Sequence, residues 1–173
     1  TDSERIQNLS KSLQSWIDNK LEWECTMKLH GSSMTVYKYN DELGVCSRNL
    51  SLKIEGDNLI NNAFVSTAVN SQLLQKLQEM NCNYAIQGEL MGPKICDNLE
   101  KFDKYQYFVY DIFNIDTQQY LSPKERYNVF NKLQSLGADI KHVPIIIEHT
   151  NLVEHGIDSI KSLLDFAEGE SIT

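Results

Sequence analysis

The feature that most constrains this fold is the spacing of its strand-like runs. Residues 23–29, 33–39 and 43–47 read as strands, and only three residues separate each run from the next. Parallel neighbours need a crossover of about a dozen residues or more, so links this short make the strands antiparallel. Tyr39-Asn40-Asp41-Glu42 reads as a hairpin turn, since Asn and Asp tolerate tight turns. Further strands are expected at 84–90, closed by the break Gly92-Pro93, and at 105–115, which is dense in aromatic and β-branched residues. A short strand is expected at 143–148.

Helices fill the remainder. In residues 2–19, Ile6, Leu9, Leu13, Trp16 and Ile17 form one apolar stripe, with Asp2 or Ser3 as the cap. Residues 63–80 place Val65, Val69, Leu73, Leu74 and Leu77 on one face. Ser122-Pro123-x-Glu125 is a capping box opening a helix that runs to Leu136 and stops at Gly137. A last helix is expected at 156–166. Residues 50–62, rich in Asn, Ser, Asp and Gly, and the polar stretch 94–104 read as loops. The class this predicts is α+β, with antiparallel sheets flanked by helices, rather than a doubly wound parallel sheet.

Composition sets the outer limits. A length of 173 residues suits one ordinary domain, and 41% hydrophobic residues can build a core. No apolar run reaches the roughly 18 residues of a membrane span, so no membrane partner is expected. A net charge of −8 argues against non-specific coating of nucleic acid and leaves room for a local basic groove. Cys25, Cys46, Cys82 and Cys96 form neither a C-x-x-C pair nor a zinc spacing. The opening Thr-Asp-Ser-Glu-Arg has no apolar leader behind it. Four reduced thiols and an intracellular location, cytoplasmic or nuclear, are therefore expected.

Four segments carry chemistry. Lys28-Leu29-His30-Gly31-Ser32-Ser33 puts a lysine at a strand end, where it can be partly desolvated and aimed into a pocket, before a glycine that lets backbone approach a ligand. Cys46-Ser47-Arg48-Asn49 follows the hairpin, Gln87-Gly88-Glu89-Leu90-Met91-Gly92 holds one glutamate between glycines, and 107–113 is an aromatic strand containing Tyr110-Asp111. Each has a plainer counterpart. The lysine segment can be a surface turn, Tyr110 core, Glu89 a strand-end carboxylate, and Arg48 a surface cation paired with Glu42 or Asp41. His142, His149 and His155 read as plain loop or surface residues, with no metal-ligand pattern. Lys53, Lys94, Lys101 and Lys104 read as solvated, with the 94–104 loop open to RNA.

Taken in order, Lys-x-His-Gly, Ser-Arg-Asn, Gly-Glu-Leu and Tyr-Asp-Ile-Phe resemble the covalent nucleotidyltransferase superfamily of ATP-dependent ligases and capping enzymes, and most closely the RNA ligases of the RNA ligase 2 type. The flanks agree: Trp23 and Glu24 before the lysine, Gly-Glu-Leu-x-Gly-Pro at 88–93, and Asp-Ile-Phe-Asn-Ile at 111–115. The opening Thr1-Asp2-x-x-Arg5-Ile6-Gln7 resembles this domain in the branch that carries an OB domain before it.

The resemblance implies an ATP-grasp-like nucleotidyltransferase domain over 1–173, partial and truncated at the carboxyl end. It implies an adenylyltransferase core that joins 5′-phosphate and 3′-hydroxyl RNA ends through a lysyl-AMP intermediate, as in RNA repair. Lys28 would be the nucleophile attacking the α-phosphate of ATP. His30 would order water about a metal ion, Arg48 would contact phosphate or ribose with Asn49 nearby, and Glu89 would accept from a ribose hydroxyl. Tyr110 would stack on adenine, Asp111 would brace the pocket, and Ser32 and Ser33 would touch phosphate or ribose. The implied ligands are ATP or AMP with Mg²⁺ or Mn²⁺, and the implied partners are RNA ends in a nicked or RNA-templated duplex. No residue is assigned as a direct metal ligand.

The chemistry fits those types. A free lysine, with a pKa near ~10.4, is mostly protonated at pH 7, whereas attack needs the neutral amine. Burial, a metal ion or Arg48 can supply the bias. The family continues with a Glu-Gly strand and a strand with two lysines. Residues 166–173 resemble the segment before them, and Glu168-Gly169 lacks the apolar-then-basic strand that should follow. The expectation is thus a piece of a longer ligase that binds nucleotide weakly and adenylates itself poorly. The alternatives are a DNA ligase or capping-type domain, or a non-catalytic binding module of the same fold.

Overall fold

The computed structural model describes residues 5–168. In chain order the elements are a 3-10 turn (Ile6–Leu9), α1 (Ser10–Asp18), β1 (Glu22–Thr26), β2 (Ser32–Tyr39), β3 (Glu42–Ser47), β4 (Ser51–Leu52), α2 (Asn58–Asn61), α3 (Ala63–Asn70), α4 (Leu73–Glu79), β5 (Tyr84–Met91), β6 (Gln106–Asn114), β7 (Gln119–Tyr120), α5 (Pro123–Ser135), β8 (Lys141–His142), β9 (Ile145–Asn151), a second 3-10 turn (Leu152–His155) and α6 (Ile160–Ala167). They fall into two compact units. One is Lys28–Val143; the other comprises the described residues up to Met27 and from Pro144 onward.

In the second unit, β1 pairs antiparallel with β9, Glu22 opposite Asn151, with register irregularities on either side of Cys25. Leu13, Leu152 and Ile157 form its buried cluster, with Trp16, Ile17, Trp23, Ile160 and Leu163 packed around them. Trp16 and Trp23 meet edge to face at 5.1 Å. α6 opens on a capping box formed by Ser159 and Ser162. The capping role expected of Asp2 or Ser3, the likeness at residues 1–4 and the reading of Gly169 lie outside the described residues.

The Lys28–Val143 unit holds a seven-stranded sheet in the order β4-β3-β2-β5-β6-β7, with β8 on β6. Every pairing is antiparallel except β6 with β8. One face is the core: Met34, Val36, Val45, Ile86, Leu90, Tyr107, Val109 and Ile112 pack against Val65, Leu73, Leu77, Phe130 and Leu133 from α3, α4 and α5. The hairpin turns where expected, Tyr39 opposite Glu42, with Asn40 left-handed at φ 53°. The α5 capping box forms, its Ser122 N–H donating to the Glu125 carboxylate at 3.0 Å.

Several boundaries differ from the sequence reading, each for a local reason. The helix expected at 63–80 is two helices: Ser71 caps α3 and Gln72 is left-handed at φ 60°. Asn70 and Ser71 compete for helical backbone bonds, and the break leaves Val69 exposed rather than on the buried face. The loop expected at 50–62 contains β4 and α2. Asn62 ends α2 and caps α3, its side chain accepting from the Phe64 and Val65 N–H groups. The helix expected from residue 2 is regular only from Ser10, after its 3-10 turn. The last strand begins at Ile145, and β7 and β8 are two-residue strands too short to show periodicity.

Candidate active site

The sheet face opposite the core carries the residues of interest. Along β2 the core takes Met34 and Val36, which turns Ser33 and Thr35 the other way; along β5 it takes Ile86 and Leu90, which turns Gln87 and Glu89 the same way. β6 follows this alternation until Tyr110. Gln87 pairs with Asp111 and Gly88 with Val109, so Tyr110 has no partner on β5. This is a β-bulge, and it shifts the parity of the strand: Tyr107 and Val109 face the core, then Ile112 does. Tyr110 and Asp111 are both left outside the core cluster.

Glu89 is the centre of the arrangement. Its Oε1 accepts the Gly31 N–H at 3.0 Å across 58 residues of sequence. Burial pushes the Glu89 carboxyl above its ordinary value, while the Gly31 hydrogen bond and then the neighbouring Lys28 and His30 pull the other way. Tyr110 is half-buried near the Ser33 side chain. Burial pushes its phenol up, the neighbouring Ser33 hydroxyl lowers it, and Glu89 and Asp111 raise it again. Gly31 has no room for a side chain: a Cβ there would lie 2.4 Å from the Leu90 carbonyl and 2.5 Å from Met91 Sδ. The glycine lets the segment after Lys28 lie against β5, and Cys96 Sγ donates to the Gly31 carbonyl at 3.0 Å.

Lys28 and His30 are exposed beside this group. Lys28 stands in the open segment between β1 and β2 and not inside a strand. Arg48 and Asn49 are exposed in the turn after β3, closed by the Ser47 N–H to the Leu50 carbonyl at 2.9 Å. Ser47 is opposite Met34 and Met34 opposite Gly88, so Arg48 follows at the level of Ser33 and Glu89. Ser32 pairs with Leu90 at the start of β2.

Asp111 turns to a partner the sequence reading missed. Its Oδ1 is 3.6 Å from Nη1 of Arg126, a buried residue of α5. Arg126 Nε in turn donates to His142 Nε2 at 3.1 Å. His142 is therefore not the plain surface histidine expected; its ring lies 4.7 Å from that of Tyr127 and 5.5 Å from that of Phe130. A signal for Arg126 exists in hindsight: Arg126, Phe130 and Leu133 recur at helical spacing on the buried stripe of α5.

The residues brought together suit a nucleoside monophosphate: a carboxylate for ribose, an aromatic ring for a base, a hydroxyl, and cations for phosphate. A metal ion has no ready-made cage, since no group of at least three His, Cys, Asp or Glu occurs among the described residues. The donor set fits a metal held chiefly by substrate phosphates. Among the described residues no helix is long and apolar enough to cross a membrane.

The family described as RNA ligase matches residues 21–169. A mutant of the Naegleria gruberi RNA ligase with ATP and Mn is 37% identical, with a TM-score of 0.87 over 99% of this chain and 47% of that one. Another mutant of the same protein, with AMP and Mn, gives the same identity and TM-score over 48% of its length. An apo mutant is 38% identical with a TM-score of 0.87. The chain thus spans about half the length of the solved structures it matches. No curated protein matches it.

Proposed function

The chain belongs to the RNA ligase family, and on that premise we propose that it forms the adenylyltransferase part of an ATP-dependent enzyme that joins 5′-phosphate and 3′-hydroxyl RNA ends. The observation that carries the proposal is the meeting of distant segments at Glu89. The Gly31 N–H, Lys28 and His30 arrive from before β2, and Tyr110 arrives from β6 on a bulge, near Ser33 and Glu89. The solved relatives hold ATP or AMP with Mn.

In this reading Glu89 accepts a hydrogen bond from a ribose hydroxyl and Tyr110 stacks on the adenine. Lys28 Nζ attacks the α-phosphorus of ATP: the N–P bond forms, the P–O bond to pyrophosphate breaks, and the amine loses its proton. The AMP then passes to the 5′-phosphate of RNA, where a 3′-hydroxyl displaces it. Arg48 and Asn49 lie on the phosphate side, and His30 beside Lys28 orders water there. A bound Mg²⁺ or Mn²⁺ would neutralise phosphate charge.

The test uses the full-length protein carrying this sequence, given ATP and Mn²⁺ and followed by intact mass. A stoichiometric gain of one AMP, released by acid and lost in Lys28→Ala, is expected. An adduct that survives Lys28→Ala, or maps to another residue, removes Lys28 from its role. Sealing of a nicked DNA duplex in preference to a nicked RNA duplex would shift the assignment to the DNA ligase reading.

A further inference from the structure

The roles above leave Arg126 and His142 unexplained. Burying a guanidinium is costly unless it is paired, yet α5 turns Arg126 inward at 5% exposure. Its contacts follow a closed circuit. Arg126 Nη1 lies 3.6 Å from Asp111 Oδ1, and Arg126 Nε donates to His142 Nε2 at 3.1 Å. A guanidinium has no acceptor, so His142 Nε2 accepts and the ring proton sits on Nδ1, 2.7 Å from the Val143 carbonyl. His142 pairs in β8 with Val109 of β6, and the Val143 N–H donates to the Val109 carbonyl at 2.9 Å. Val109 and Asp111 flank Tyr110, the residue without a partner on β5. The circuit therefore runs from one side of the bulge, through β8, His142 and Arg126, back to its other side.

A bulge leaves one residue outside the ladder, so its side chain needs another source of register. We propose that Arg126, oriented by His142, is a positioning residue that fixes the Asp111 carboxylate and thereby the direction in which the bulge presents Tyr110 to the nucleotide. The inference rests on the nucleotide-site reading and deepens it: it assigns α5 and β8, which supply none of the nucleotide contacts proposed above, to nucleotide affinity. Arg126 acts here through Asp111 and touches no substrate itself.

The experiment measures ATP–Mn²⁺ binding by calorimetry, with thermal melting in parallel, on the full-length protein and its Arg126→Gln, Asp111→Asn and doubly substituted forms. Arg126→Gln is expected to weaken binding about tenfold, the scale on which lost supporting contacts act. Because both residues act on one bulge, the double variant should bind no more weakly than the weaker single variant. Arg126→Lys keeps a cation beside Asp111 without the guanidinium fork, so it folds more readily and should fall between wild type and Arg126→Gln. A purely structural Arg126 would lower the melting temperature and leave the affinity of folded protein unchanged; that result overturns the inference, as do single effects that multiply in the double variant. Wild-type protein that binds no adenine nucleotide would remove the site reading and this inference with it, whereas wild-type binding that matches Arg126→Gln removes the inference alone.

Discussion

Tyr107 and Tyr110 stand three residues apart on one strand and belong to opposite faces of the sheet. Tyr107 is 1% exposed, and its hydroxyl donates toward the Ile86 carbonyl at 2.8 Å and the Met34 carbonyl at 3.0 Å. It lies over Gly88, where a Cβ would come within 2.7 Å of its ring. Tyr110 is half-buried near the Ser33 hydroxyl and has Glu89 and Asp111 in its field. Burial raises both phenols, Tyr107 the further. The same side chain serves as a core beam in one place and as a candidate base platform in the other. Regular alternation would put residues an odd number apart on opposite faces in any case, but it would also send Asp111 into the core with Tyr107 and Val109. The bulge prevents this and keeps Asp111 on the face of Tyr110.

If the two faces are as different as their surroundings, substitutions should separate stability from ligand binding. The largest effect is expected from Tyr107→Ala, a loss of about 3–5 kcal/mol in urea unfolding, as for other buried aromatics. A loss no greater than that of Tyr110→Ala would erase the distinction. Gly88→Ala comes next: its Cβ would sit 2.3 Å from the Phe108 carbonyl, which is backbone and cannot step aside. Overpacking of this kind costs roughly 1–3 kcal/mol, read from the same denaturation curves. Tyr110→Ala should cost little stability and weaken ATP binding by about tenfold or more, because base stacking on an aromatic ring is worth about 1–3 kcal/mol. Unchanged nucleotide affinity in a folded Tyr110→Ala protein would move Tyr110 out of the site.

The smallest effect concerns Glu89 and pH. Its carboxyl titrates above the ordinary carboxylate value because burial opposes the charge. The native state therefore binds this proton more tightly than the unfolded chain does. The contribution to stability is complete below the unfolded value and is lost as pH rises through the folded one. Glu89→Gln has no such proton, so its stability should improve relative to wild type as pH is raised from acid to neutral. Melting temperatures for both proteins across that range test it; a melting temperature of Glu89→Gln that falls relative to wild type as pH rises would reverse the sign.

Much of this was legible because it is local. Short links between strand-like runs dictated antiparallel pairing, and Asn40 and Asp41 supplied the hairpin turn. Ser122, Pro123 and Glu125 specified the start of α5. The order of four short motifs pointed to the RNA ligase family, and the family and structural matches show that family. The pairing of Arg126 with Asp111 was not legible, since the two lie 15 positions apart on different elements. Nor was the partnership of Arg126 with His142, which depends on β8 lying parallel to β6.

The sequence by itself therefore determined the elements whose signals lie within one turn or one hairpin: caps, alternation, tight links and motif order. Only the tertiary structure decided the bulge at Tyr110, the break at Gln72 and the buried circuit behind Asp111. A bulge is a mismatch between two strands, and a buried ion pair is an agreement between two elements. Each exists only once both partners are in place, so neither leaves a periodic mark on a single segment of chain.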